Sequence, residues 1–130
     1  MALITQRDEL IEAVKEMDRL GLVSGSSGNA SVRIDAPGSP NAFLITPAGL
    51  PYPSMTSDQL VAVDNDLNPI DGEGVPSSES LLHLAIYTAR PDVNAVMHTH
   101  SLHATALGVA SRPLPPIVDE LVVYVGGQVE

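Results

Sequence analysis

Hydrophobic positions recur at helical spacing near the start of the chain, at Leu10, Ile11, Val14, Met17 and Leu20. This period predicts an amphipathic helix that packs against a core. We expect Thr5 to cap its N-terminus and Gly21 to follow its last turn, because a small hydroxyl residue and a glycine are typical of those positions.

Short apolar runs follow, and each predicts a β-strand bounded by turn-forming residues. They are SVRI from Ser31, AFLIT from Ala42, LVAVD from Leu60, VNAVMH from Val93 and LVVYV from Leu121. The turn-forming segment 36–41 separates the first two runs and favours a β-hairpin. The polar segment 65–74 is predicted to be a loop.

Two further helices are predicted in the second half of the chain. Ser77 or Ser78 caps one that runs to Arg90, with its apolar positions at Leu81, Leu82, Ala85 and Ile86. The run SLHATALGVAS predicts a second, shorter helix. Short strands with flanking helices indicate an α/β protein, a three-layer α/β/α sandwich around a largely antiparallel or mixed sheet.

Composition narrows the class of protein. The chain has 130 residues, 44% of them hydrophobic, so we expect one domain over 1–130. A net charge of -10 argues against nucleic acid, and no apolar run reaches the roughly 20 residues that a membrane span needs. With no signal sequence at its start, the chain is expected to be cytoplasmic. It stops directly after a predicted strand, so we expect the domain to lack its C-terminal portion.

Histidines cluster at the end of the strand from Val93. With no cysteine in the chain, metal ligands are limited to His, Asp and Glu. His98 and His100 are two apart, so both side chains leave one face of the strand and can bind one ion. His103 follows, but Leu102 occupies the aspartate position of a His-x-His-x-Asp-His metallohydrolase, which favours a supporting role for His103. His83 is expected to be a half-exposed surface histidine.

Two polar segments could bind an anion or only shape the backbone. PSSES opens a helix, where the dipole favours phosphate, yet Ser-Ser-Glu is also an ordinary helix cap. GSSGNAS could present backbone N–H groups, but a tight loop before a strand explains it equally well. Glu79 beside a metal ion could carry a proton to and from a substrate.

Four motifs occur together in one order: GLVSGSSGNASVR, FLITPAGLPY, PSSESLLHLAIY and VNAVMHTHSLHATAL. In content and spacing they resemble the class II aldolase/adducin family. The resemblance covers nearly the whole chain, and several motifs in order are far more specific than one.

This resemblance implies a zinc-dependent aldolase that cleaves a short ketose phosphate, such as L-fuculose 1-phosphate, through a metal-stabilised enediolate. It makes Glu79 the proton carrier, and His98 and His100 two of three histidine ligands of one Zn2+ per subunit. The substrate phosphate is then held by Gly28, Asn29, Gly49, Ser77 and Ser78. A homotetramer with active sites at subunit interfaces is also implied.

The chain departs from the family pattern at several places. A third histidine ligand is expected beyond Glu130. Ala48 replaces a hydroxyl residue common in the aldolases, and Asp119 replaces a tyrosine. A sugar-phosphate epimerase, dehydratase or decarboxylase of the same family is the near alternative, although glutamate rather than aspartate at Glu79 favours aldol cleavage. A non-catalytic interaction domain like the adducin head is the alternative from another class.

Overall fold

The computed structural model of the chain describes residues 2–129. The chain divides into two compact units, Met1–Thr99 and His100–Glu130. The first unit contains α1 (Ala2–Arg19), β1 (Asn29–Arg33), β2 (Phe43–Ile45), β3 (Val61–Val63), β4 (Pro69–Asp71), α2 (Ser80–Ala89) and β5 (Ala95–His98). No helix among residues 2–129 is long and apolar enough to cross a membrane.

Helix α1 confirms the amphipathic period from Leu10 to Met17, but Leu20 lies after the helix and is exposed. One of the predicted ends is also corrected. The helix begins at Ala2, so Thr5 lies inside the helix and does not cap it. Gly21 adopts the left-handed conformation with φ +68°, and its N–H donates to the carbonyl of Asp18. The N–H of Leu22 donates to Met17, so the helix ends in a Schellman motif.

The sheet is antiparallel throughout its described strands, in the order β4-β3-β2-β1-β5. Strands β1 and β2 form the predicted hairpin, with Val32 opposite Leu44. Strand β5 pairs with the other edge of β1, and this pairing sets Asn29 directly opposite His98.

The two faces of the sheet bury different side chains because residues alternate along each strand. Leu44 and Ala62 pack in one cluster with α1, which contributes Val14 and Met17. Phe43, Ile45, Val61 and Val63 pack in the other cluster with Tyr87 of α2. One helix on each face confirms the predicted α/β/α sandwich.

Strand β4 was missed by the sequence pattern. It lies in segment 65–74, predicted to be a loop, and its three residues are all exposed. Pro69 opens the strand, and the pairing with β3 shifts register between Ala62 and Val63. A short, exposed strand at the sheet edge carries no hydrophobic alternation, which is why the pattern does not reveal it.

Helix α2 differs from its prediction at its start and in the face it buries. It begins at Ser80, with Glu79 at the N-cap position and no side-chain capping bond, so the predicted Ser77 or Ser78 cap is wrong. Leu81 and Leu82, two of the apolar positions of the predicted helix, are exposed, whereas Ser80, His83 and Tyr87 are buried. The buried face is therefore polar and aromatic.

The second unit contains the predicted short helix, α3 (Leu102–Val109). The predicted strand LVVYV is instead a π-helical turn at Leu121–Val125, followed by Gly126 with φ +93°. β-branched residues favour a strand only where a neighbouring strand accepts the hydrogen bonds. This run satisfies part of its backbone locally, as in the bond from the N–H of Gly127 to Leu121.

Candidate active site

Four segments of the first unit meet at one edge of the sheet. Asn29 at the start of β1 pairs with His98 at the end of β5. The N–H of Thr46, just after β2, donates to the carbonyl of Ala30. The N–H of Ser77, just before α2, donates in turn to the carbonyl of Thr46. The antiparallel register thus brings together motifs that are distant in sequence.

Glu79 lies where these segments meet. Its Oε2 accepts a hydrogen bond of 2.5 Å from Nδ2 of Asn29, on β1. The same oxygen lies 2.9 Å from Nδ1 of His98, on β5. The carboxylate is partly buried, with 40% of its side chain exposed. A proton carrier needs this combination of a fixed position and an open side toward a substrate.

Behind Asn29 runs a buried chain of polar side chains. Nε2 of His83 lies 2.5 Å from Oδ1 of Asn29, and Nδ1 of His83 lies 2.6 Å from Oγ of Ser31. Oγ of Ser31 lies 2.7 Å from the hydroxyl of Tyr87. His83 is 0% exposed, so the expectation of a half-exposed surface histidine is wrong.

Burial makes His83 a neutral imidazole at ordinary pH. Burial away from water is the main cause that lowers the pKa of His83 to about 4, and the neighbouring His98 lowers it further. Burial also raises the pKa of the Tyr87 hydroxyl. Both side chains therefore act as uncharged hydrogen-bonding groups.

Gly28 allows the loop before β1 to pass close to the end of β5. Its φ is +72°, and a Cβ built on it would lie 2.5 Å from the carbonyl oxygen of His98 and 2.7 Å from Cγ1 of Val23. The hydroxyl of Tyr52 donates to the carbonyl of Gly28 at 2.7 Å. Burial, with the charges of Asp18 and Glu79, raises the pKa of Tyr52 to about 12, so this donor keeps its proton.

The residues predicted to hold phosphate occupy different environments. Asn29 is 2% exposed and uses its amide within the polar chain. Gly49 has φ +75° with open space around it. Ser77 is buried and its Oγ accepts from the N–H of Glu79 at 3.3 Å, whereas Ser78 is exposed. Their role in phosphate binding stays a prediction.

The predicted metal ligands match zinc in kind but not in number. If Nδ1 of His98 donates to Glu79, the lone pair of His98 is on Nε2, which suits a metal whose histidine ligand is oriented by a carboxylate. His100 is the first residue of the second unit, and its role as a metal ligand stays a prediction. Among residues 2–129, no three His, Asp or Glu side chains are grouped to hold one ion. The described residues thus supply an incomplete donor set.

Sequence reasoning missed the polar chain behind Asn29, although the spacing contains a signal for it. A spacing of four residues links Glu79, at the N-cap of α2, with His83 and Tyr87 on the helix, while Asn29 and Ser31 are two apart on β1. Four residues of a helix and two residues of a strand both advance by about 6 Å. Side chains four apart on α2 can therefore contact side chains two apart on β1. Hydrophobicity alone does not register such a match.

The chain is similar to known proteins in both sequence and structure. The model of the family "Class II Aldolase and Adducin N-terminal domain" matches residues 8–130. An L-fuculose phosphate aldolase of Escherichia coli O6:H1 is 42% identical over 109 residues, 84% of this chain and 48% of that protein. An L-ribulose-5-phosphate 4-epimerase of Salmonella paratyphi B is 36% identical over 111 residues, 85% of this chain and 47% of that protein.

A solved structure, titled L-fuculose 1-phosphate aldolase, superposes with a TM-score of 0.76 at 34% identity, covering 85% of this chain and 51% of that one. The chain belongs to the class II aldolase and adducin N-terminal domain family. It spans about half the length of the curated relatives that it matches.

Proposed function

We propose that the protein is a zinc-dependent class II aldolase that cleaves a short ketose phosphate such as L-fuculose 1-phosphate. The observation that carries this proposal is the position of Glu79, whose carboxylate meets Asn29 and His98 at the edge of the sheet. Family membership and relatives that are themselves named as sugar-phosphate aldolases support the same reaction class.

Glu79 is the proposed proton carrier. Cleavage of the carbon–carbon bond leaves electron density on a carbon of the phosphate-bearing fragment, and that carbon must take up a proton. In the reverse direction the carboxylate removes the same proton before the new bond forms. The hydrogen bond from Asn29 holds the carboxylate in place while its partly exposed side faces the substrate.

His98 and His100 are the proposed zinc ligands, and at least one more ligand is needed to complete the shell. Bound zinc would act as a Lewis acid that polarises the substrate carbonyl. The substrate phosphate is proposed to lie against Gly28, Asn29, Gly49, Ser77 and Ser78. We further propose that the protein is a cytoplasmic homotetramer with active sites at subunit interfaces. Light scattering of the purified protein tests the number of subunits.

A panel of ketose 1-phosphates and ketose 5-phosphates tests the reaction, with zinc-loaded protein and product identification by NMR. The proposal expects dihydroxyacetone phosphate and an aldehyde from at least one ketose 1-phosphate. One relative is named as an epimerase. Recovery of a substrate as its stereoisomer would therefore show that the reaction is epimerisation and not aldol cleavage. No conversion of any member of the panel would overturn the enzymatic proposal and favour a non-catalytic domain.

A further inference from the structure

His83 is fully buried beside the proposed active site, yet the proposed reaction gives it no task. We infer that His83 is a positioning residue that fixes the side-chain amide of Asn29 with its N–H group toward Glu79. The kinetic part of this inference rests on the proposed function of Glu79, whereas the orientation of the amide does not.

The direction of the hydrogen bonds follows from the carboxylate. Ionised Glu79 can only accept, so Asn29 must present Nδ2 to it, as the 2.5 Å contact has it. Oδ1 of Asn29 then faces Nε2 of His83 at 2.5 Å and must accept from it. His83 therefore carries its proton on Nε2.

The rest of the chain agrees with that tautomer. With its proton on Nε2, His83 accepts at Nδ1, and the hydroxyl of Ser31 at 2.6 Å can donate there. Ser31 in turn can accept from the hydroxyl of Tyr87 at 2.7 Å. Every donor thus points along one direction, from Tyr87 toward Glu79, and each member of the chain is satisfied.

The opposite orientation is disfavoured by charge. If the amide of Asn29 were turned over, Oδ1 would take the place of Nδ2, 2.5 Å from Oε2 of Glu79. Two acceptor oxygens would then face each other without a proton between them. Neutral His83 has a single ring proton, and its low pKa of about 4 keeps it so. A neutral imidazole with one N–H can enforce one orientation, because only one ring nitrogen is a donor.

Packing holds the imidazole in place for this task. The ring of Phe43 stacks on His83 with 6.3 Å between centroids, and it contacts Tyr87 at 5.3 Å. His83 and Tyr87 lie one helical turn apart on the buried face of α2. A ring fixed by aromatic packing can transmit its orientation to the amide that it bonds.

Nitrogen-15 NMR of histidine-labelled protein tests the tautomer without any substrate. We expect His83 to be neutral near pH 7, with its proton on Nε2 and an acceptor-type Nδ1. Assignment uses the His83→Gln variant, whose spectrum lacks these signals. A proton on Nδ1, or a charged imidazolium near pH 7, would overturn the inference whatever the protein catalyses.

Kinetics of the zinc-loaded protein test the consequence. His83→Leu is expected to lower kcat by ~10–100-fold with a much smaller change in KM. His83→Gln should restore most of kcat, because its side-chain amide can still donate to Asn29. Met17→Ala, in the cluster around α1 on the opposite face, is the control that lowers stability and leaves kcat unchanged.

Equal losses of kcat in His83→Leu and His83→Gln would refute positioning and reduce His83 to a packing residue. If the unaltered protein cleaves no ketose phosphate, the proposed function fails, and the tautomer measurement still decides the orientation of Asn29.

Discussion

At the scale of the residue, Gly28 explains how two segments of the site approach each other. Its backbone lies where a Cβ would collide with the carbonyl oxygen of His98, the last residue of β5. Gly25, in the same loop, has a similar φ of +63°, but a Cβ on it would meet nothing within 4 Å. The two glycines therefore separate the effect of φ from the effect of close approach.

We predict that Gly28→Ala lowers the free energy of unfolding by about 1–3 kcal/mol, because it combines a positive φ with a collision against backbone. Gly25→Ala, which carries only the cost of φ, should lose about 1 kcal/mol. Urea unfolding monitored by circular dichroism measures both. Equal losses in the two variants would show that the approach to His98 is not tight.

The buried imidazole of His83 predicts a dependence of stability on pH. Its pKa is about 4 in the folded chain against 6.5 for a free histidine, so the unfolded chain binds the proton more tightly. The contribution of His83 to the free energy of unfolding is complete above pH 6.5. It falls by up to about 3 kcal/mol as the pH decreases from 6.5 toward 4.

Urea unfolding at a series of pH values measures this dependence, and His83→Gln is the matched variant without a titrating ring. The slope of unfolding free energy between pH 6.5 and 4 should be shallower in His83→Gln than in the unaltered protein. Identical slopes in the two proteins would contradict the burial of a neutral His83.

At the scale of the element, α2 departs most instructively from its sequence pattern. The helix is rich in leucine, but it turns His83 and Tyr87 toward the sheet and leaves Leu81 67% exposed. Asn29 and Ser31 on β1 provide partners for the polar groups, and Phe43 covers their rings. A buried polar face is stable only with such partners on the facing strand.

We predict that Leu81→Gln changes the unfolding free energy of the isolated chain by no more than about 0.5 kcal/mol, as surface substitutions usually do. Leu44→Ala, at a fully buried position of β2, should cost about 2–5 kcal/mol. Thermal and urea unfolding give both values. A large loss of unfolding free energy in Leu81→Gln would show that Leu81 lies on the buried face of α2.

Elements with a clear apolar signal in the sequence were predictable. Helix α1 follows from its hydrophobic period, and strands β1, β2, β3 and β5 follow from short apolar runs between turn-forming residues. Strand β4 was missed because both its faces are exposed, and LVVYV was wrong because strand propensity needs a neighbouring strand.

The candidate site was predicted in part for a related reason. The motifs singled out Asn29, Glu79 and His98, which the fold brings into contact. His83 was misjudged because a lone histidine inside a helix resembles a surface residue until the facing strand is known. Its environment depends on Ser31 and Asn29, about fifty residues away along the chain, and pairwise register of that kind is not encoded in local periodicity.

At the scale of the whole molecule, the proposed zinc site depends on two histidines, His98 at the end of β5 and His100 two residues further along the chain. We predict that His98→Ala and His100→Ala each weaken zinc binding, because each removes an imidazole ligand. His103→Ala is the matched control and should bind zinc as the unaltered protein does.

Competition with a chromogenic chelator measures these affinities in the absence of substrate. Loss of zinc from His103→Ala would favour the metallohydrolase-like ligand set over the proposed one. Equal affinity in all four proteins would place the zinc site elsewhere.

Hydrogen exchange shows whether Glu79 moves the proton of an aldol reaction. Zinc-loaded protein is incubated with dihydroxyacetone phosphate in deuterated water, without any aldehyde, and proton NMR follows the loss of the carbon-bound hydrogen. The unaltered protein should exchange one hydrogen, and Glu79→Gln should slow the exchange by ~100-fold or more. Exchange by Glu79→Gln at the rate of the unaltered protein would exclude Glu79 as the proton carrier.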